Sequence, residues 1–174
     1  MTRRKLDLKV LDAVVAEAQR LNDRGCQKSG EWDLGQACRH SAMAIRETVD
    51  GFSFKPPGIM RLLVSLMGMK KKLFATRTIK AGLKAPASMV PSPGLDEPKE
   101  IENLRQAVEH FKSNEGRYLP HPIFGVLPND EWHQFHTIHT MHHLSFFNTE
   151  IGIGKRRSDE GVVAADQGGI GRIR

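Results

Sequence analysis

Residues 132–147 read Trp132-His133-Gln134-Phe135-His136-Thr137-Ile138-His139-Thr140-Met141-His142-His143-Leu144-Ser145-Phe146-Phe147. Five of the chain's eight histidines fall in this stretch. At about 100° per residue, Trp132, Phe135, His136, His139, His142, His143 and Phe146 share one helical face, and only His133 points elsewhere. The imidazoles therefore lie beside large aromatics, on the stripe that faces a helical interior. An apolar interior does not tolerate several unpartnered imidazoles, because each uncompensated polar group costs about 1–3 kcal/mol. A divalent cation would satisfy them directly, since neutral imidazole is a favoured ligand for zinc, nickel, copper and iron.

Other helices can be read on either side of this one. Leu8, Leu11, Val14, Val15, Ala18 and Leu21 predict a helix from about Asp7 to Asn22, capped by Asp7 and ended near Gly25. Asp33 and Gln36 have the spacing of a capping box. Leu34, Ala37, Cys38, Ser41, Ile45 and Thr48 then form an inward stripe that ends at Gly51. Ile59 to Phe74 reads as one short apolar helix with a lysine-rich end, and residues 75–98 as an extended Pro-containing loop. Asp96 caps a helix whose stripe is Ile101, Leu104, Ala107, Val108 and Phe111, and the histidine helix runs from about Asn129 to Phe147. No strand pattern is convincing. The expected fold is all-α, a four-helix bundle with a short extra helix and a long Pro-containing loop. The bundle is expected over residues 1–148. Residues 149–174 have six glycines between Gly152 and Gly171 and no helical period, and read as a disordered basic tail.

Composition narrows the class. The chain has 174 residues, 39% hydrophobic and 26% charged, which fits one globular domain. Cys26 and Cys38 are its only cysteines, too few for a disulfide scaffold, and they read as reduced thiols. The opening residues MTRRKLDLKV return to charge every second or third position and so do not read as an apolar leader, and the longest apolar run, Ile59 to Met69, is interrupted by Arg61. The expectation is a soluble cytoplasmic protein without a membrane partner. The net charge of +6 permits nucleic-acid contact, but no helix carries a basic stripe with interleaved aromatics. A homodimer is allowed by the sequence. A di-iron carboxylate bundle needs two Glu-x-x-His units, and the sequence has none.

For a mononuclear site, His139 and His143 at i and i+4 project together, and His139 with His142 is a second pair. His40 is the candidate third ligand, on the flank of its own helix's stripe. Three histidines would leave a coordination position open for water. His136, His142, Glu47 and His121 are candidates for orienting the ligands or moving protons.

The segments His121-Pro122-Ile123-Phe124-Gly125-Val126-Leu127, Glu131-Trp132 and His139-Thr140-Met141-His142-His143-Leu144-Ser145-Phe146 resemble the signature HPxFGxL…EW…HxxHHLxxF. That signature belongs to an uncharacterised branch of the DinB/YfiT-like superfamily. Trp32 to His40 resembles the branch's WxLGQxxxH element, and Pro93-Gly94-Leu95-Asp96 its mid-chain turn. The resemblance spans about residues 5–148. It implies an up-down-down-up four-helix bundle with a divalent metal, zinc or nickel, held by His40, His139 and His143. Better-studied members of the superfamily include thiol-dependent S-transferases, a mycothiol-dependent isomerase and metal-dependent hydrolases. Relatives with an HRxQ element have Arg and Gln where this chain has Leu144 and Phe146. The functions implied are a metal-dependent hydrolase or thiol S-transferase acting on a small molecule, or a non-catalytic metal-binding or sensing bundle. A basic nucleic-acid-binding module is the remaining alternative.

Overall fold

The computed structural model describes residues 3–149. The chain forms α1 (Leu11–Arg24), β1 (Gln27–Lys28), α2 (Leu34–Asp50), α3 (Gly58–Leu66), α4 (Met69–Thr76), α5 (Glu97–Ser113), α6 (Asn129–Leu144) and β2 (Phe147–Asn148). A 3-10 turn at Ala87–Met89 interrupts the long loop before α5.

Contacts between helix ends fix the directions. Arg39–Glu100 joins the starts of α2 and α5, and Asp50–His110 joins their ends, so these two helices run parallel. Asp12 at the start of α1 meets Lys112 at the end of α5, so that pair is antiparallel. His40 pairs with His139, and Thr48 with His136, which makes α2 antiparallel to α6. The segments that follow α1 and α6 pair as β1 and β2, with Gln27 opposite Asn148 and Lys28 opposite Phe147. The result is an up-down-down-up bundle of α1, α2, α5 and α6.

The predicted stripes are the core. Leu11, Val14, Val15, Ala18 and Leu21 are buried from α1, Leu34, Ala37, Cys38 and Ile45 from α2, and Ile101, Leu104, Ala107, Val108 and Phe111 from α5. Each large aliphatic side chain buried in this way contributes roughly 1.5–3 kcal/mol. Helix α6 is buried on several faces, through Trp132, His136, Ile138, Met141 and Leu144. It therefore lies against its neighbours over most of its surface. Cys26 and Cys38 are both free thiols.

Three helix boundaries differ from expectation. Helix α1 starts four residues after Asp7, behind Val10, which makes no side-chain cap; Asp7 instead holds Lys9. The single helix expected over 59–74 is two, α3 and α4, because Gly68 adopts φ 60° and breaks the run. There are accordingly two extra helices rather than one. Helix α6 stops at Leu144, and residues 147–148 form a strand instead of its last turn. That two-residue pairing is the strand content among the described residues. The tail expected from residue 149 lies, from 150 onward, outside the described residues.

Candidate metal centre

Three imidazoles from two helices converge. His40 comes from the second turn of α2, and His139 and His143 from successive turns of α6. His40 Nε2 is 3.3 Å from His139 Nε2, and His143 Nε2 is 3.2 Å from the same atom. The ligand-type atoms of the three all lie within 4.8 Å of one another. His40 is buried, and His139 and His143 are largely buried as well.

The donor set fits a cation. Nitrogens bound at about 2.0–2.1 Å with tetrahedral angles sit about 3.3 Å apart, close to the 3.3 Å and 3.2 Å of the two pairs. Protonation agrees. The Met89 carbonyl, 2.7 Å from His40 Nδ1, can only accept, so Nδ1 carries the hydrogen and Nε2 turns a lone pair to the centre. Burial lowers the pKa of His40, although Met89 and Glu47 oppose it. Burial first, then the neighbouring imidazoles, hold His139 and His143 well below the usual histidine value. All three are neutral at pH 7, the form that binds a metal. His139 Nδ1 is buried without a hydrogen-bond partner.

Aromatic rings frame the group. The Trp32 indole stacks on His143, with centroids 5.2 Å apart and planes at 11°, and meets His40 edge-on at 4.9 Å. Phe135 stacks on His139 at 5.8 Å. These flat contacts restrict rotation of the imidazoles and keep them turned to one another.

The four remaining candidates are held by other partners. His136 reaches Thr48 Oγ1 at 2.8 Å through Nε2, and burial pushes its pKa down to about 3. His142 turns from the centre to Arg3, with Nδ1 3.2 Å from the guanidinium. Burial, and then Arg3, lower its pKa to about 4. Glu47 accepts the backbone N–H of Ser53 and makes no hydrogen bond to the three imidazoles. His121 Nδ1 accepts two backbone N–H groups, from Ile123 at 3.0 Å and Phe124 at 3.1 Å, and so closes its own loop. The shared face expected of residues 136, 139, 142 and 143 thus divides between three environments. A helical wheel groups residues within a broad arc, but each packed neighbour accepts only part of that arc.

Two contributors were missed by the sequence reading. Trp32 stands just before the capping box and had no role beyond marking the helix start. Met89 acts through its main chain, which leaves no side-chain signal. Its carbonyl is placed by a clamp between the long loop and the capping box of α2. Asp33 Oδ1 accepts the Gln36 N–H, and Asp33 Oδ2 accepts the Gly94 N–H at 2.9 Å. The Gln36 side chain in turn donates to the Pro91 carbonyl at 2.8 Å. Gly35 makes the close approach feasible, since a Cβ there would stand 3.0 Å from the Leu95 carbonyl oxygen.

The Gly35→Ala variant tests this support. Alanine favours a helix over glycine by about 0.5–1 kcal/mol, so helix content should not fall. The added methyl displaces Leu95 and with it the loop that carries Met89. Loss of an outer hydrogen-bond partner typically costs 10–100-fold in metal affinity. The expected result is zinc binding weakened about tenfold, with an unchanged far-ultraviolet circular dichroism spectrum. Wild-type affinity in this variant would disconnect the clamp from the site.

A family model described as a protein of unknown function, DUF1569, matches residues 1–150. Comparison with curated proteins and with solved structures finds no match.

Proposed function

We propose that this chain, which belongs to the DUF1569 family, binds one divalent cation through His40, His139 and His143 and uses it to activate a nucleophile. The carrying observation is the convergence of three neutral imidazoles, one with its distal nitrogen fixed by the Met89 carbonyl. The likeness of the His121–Leu127, Trp32–His40 and His139–Phe146 segments to DinB/YfiT-like proteins supports the same reading, as does the up-down-down-up order of the helices. Zinc and nickel suit an all-imidazole donor set.

A divalent cation with three protein ligands and a free position lowers the pKa of a water or thiol bound there. The chain's own part is to hold the ligands deprotonated and oriented. Trp32 and Phe135 flank the imidazoles with apolar surface, which excludes bulk water from two sides of the group. Hydrolysis or thiol transfer on a small molecule is the reaction class this arrangement suits. Leu144 and Phe146 stand where thiol-using relatives carry Arg and Gln, which favours hydrolysis of the two.

Elemental analysis of the purified protein is the test. One equivalent of zinc or nickel is expected in the wild-type chain and none in the His139→Ala/His143→Ala variant. Equal metal in both would end the proposal.

A further inference from the structure

From Gly51 to Leu95 the chain contains no acidic residue, yet it carries Lys55, Arg61, Lys70, Lys71, Lys72, Arg77, Lys80 and Lys84. The whole chain is only +6, so the remainder is net negative and the excess positive charge lies entirely in this excursion between α2 and α5. The same excursion holds an apolar face. Ile59, Leu62, Leu63 and Leu66 recur along α3 at i, i+3, i+4 and i+7, the spacing of one helical stripe, and all are 51–75% exposed. Met67 and Met69 extend the exposed surface into the turn before the lysines. At roughly 100 Å² apiece the six side chains leave about 600 Å² of apolar surface open, the upper end of what a soluble monomer shows. The bundle core is already closed by α1, α2, α5 and α6, and uses none of them.

We propose that this face docks on an anionic lipid bilayer, with α3 at the boundary between headgroups and acyl chains and the lysines on the lipid phosphates. Charge and apolarity occur together, and that selects the occupant. A second copy would cover the leucines but would juxtapose two segments that have no carboxylate to pair with the lysines. A nucleic acid would suit the lysines and leave the leucines in water. An acidic membrane surface takes up both.

Lys55, Lys71, Lys72, Lys80 and Lys84 are exposed and available to headgroups. Lys70 pairs instead with Glu131 at 2.6 Å, which ties α4 to α6. No helix among the described residues is long and apolar enough to cross a membrane, so the attachment is peripheral. The sequence-based expectation of no membrane partner rested on the lack of a spanning segment, which a surface-lying helix does not need.

The test is co-sedimentation of the full chain with phosphatidylcholine vesicles and with vesicles that also contain phosphatidylglycerol. The wild-type protein should pellet only with the anionic vesicles at low salt and come off at high salt. The Lys71→Glu/Lys72→Glu variant should lose partitioning by roughly 30-fold or more. The Leu63→Ser/Leu66→Ser variant should lose at least about tenfold, because acyl-chain burial scales with apolar area. Both pairs are exposed, and none of the four residues is a hydrogen-bond or ring partner of the three histidines, so zinc stoichiometry should match the wild type and certify the fold. Failure of the wild-type protein to bind anionic vesicles overturns the proposal, as does equal binding to neutral ones or full binding by the leucine variant. A dimer lost in the leucine variant, without vesicle binding, would assign the face to a second copy. Salt-sensitive DNA binding without vesicle binding would assign it to nucleic acid.

Discussion

Zinc will bind the His40→Ala variant more than 100-fold more weakly than the wild-type chain, measured by competition with a chromophoric chelator. Removing one of three ligands should exceed the 10–100-fold typical of losing an outer hydrogen-bond partner. His40 is the informative ligand to remove. His139 and His143 are neighbours on one helix and would lie close together in an isolated peptide. His40 arrives from α2 and is oriented by Met89, so its contribution exists only in the folded bundle. The His110→Ala variant is the control. His110 is held by Asp50 on the outside of α5, and its loss should leave zinc affinity unchanged. Wild-type affinity in the His40→Ala variant would reduce the site to an i,i+4 pair on one helix.

Acid should weaken the metal-free protein before its carboxylates titrate. His121 and His136 are both buried, and burial is the first cause of their lowered pKa values, about 4 and about 3. In the unfolded chain each titrates near 6.5. Between these values the unfolded state binds more protons, so stability is fully present above about pH 6.5 and falls as pH drops toward the folded-state values. By pH 5 each contributes a loss of about 2 kcal/mol, together about 4 kcal/mol. That is a large share of the 5–15 kcal/mol of a typical domain. Structure gives the same sign. Protonating His121 Nδ1 would turn an acceptor of two backbone N–H groups into a donor facing donors. Urea unfolding with a chelator present, at about pH 7.5 and about pH 5, reads the difference. A midpoint unchanged between them would show that these imidazoles are solvated in the folded state.

The helices were legible because their causes are local. The Asp33–Gln36 capping box, the glycines that end α1 and α2, and the stripes of α1, α2 and α5 all act over three or four residues. Where a local rule had a competitor, the reading slipped. Asp7 has the right chemistry for a cap, but Lys9 holds its carboxylate. Gly68 sits inside an apolar run whose period continues across it, so only its left-handed backbone reveals the break. The β1–β2 pair involves two residues from each strand, too few to show a period.

Sequence alone determined the bundle, its stripes and the pairing of His139 with His143, since one turn of helix fixes that distance whatever surrounds it. The fold decided which distant groups join them. His40 meets His139, which lies 99 positions further along the chain. The Met89 carbonyl reaches His40 only because Asp33 and Gln36 hold the loop, and Trp32 lies flat on His143 only because β1 and β2 bring the ends of α1 and α6 together. Such contacts depend on how packed elements cross in space, which residue spacing along a single segment does not encode.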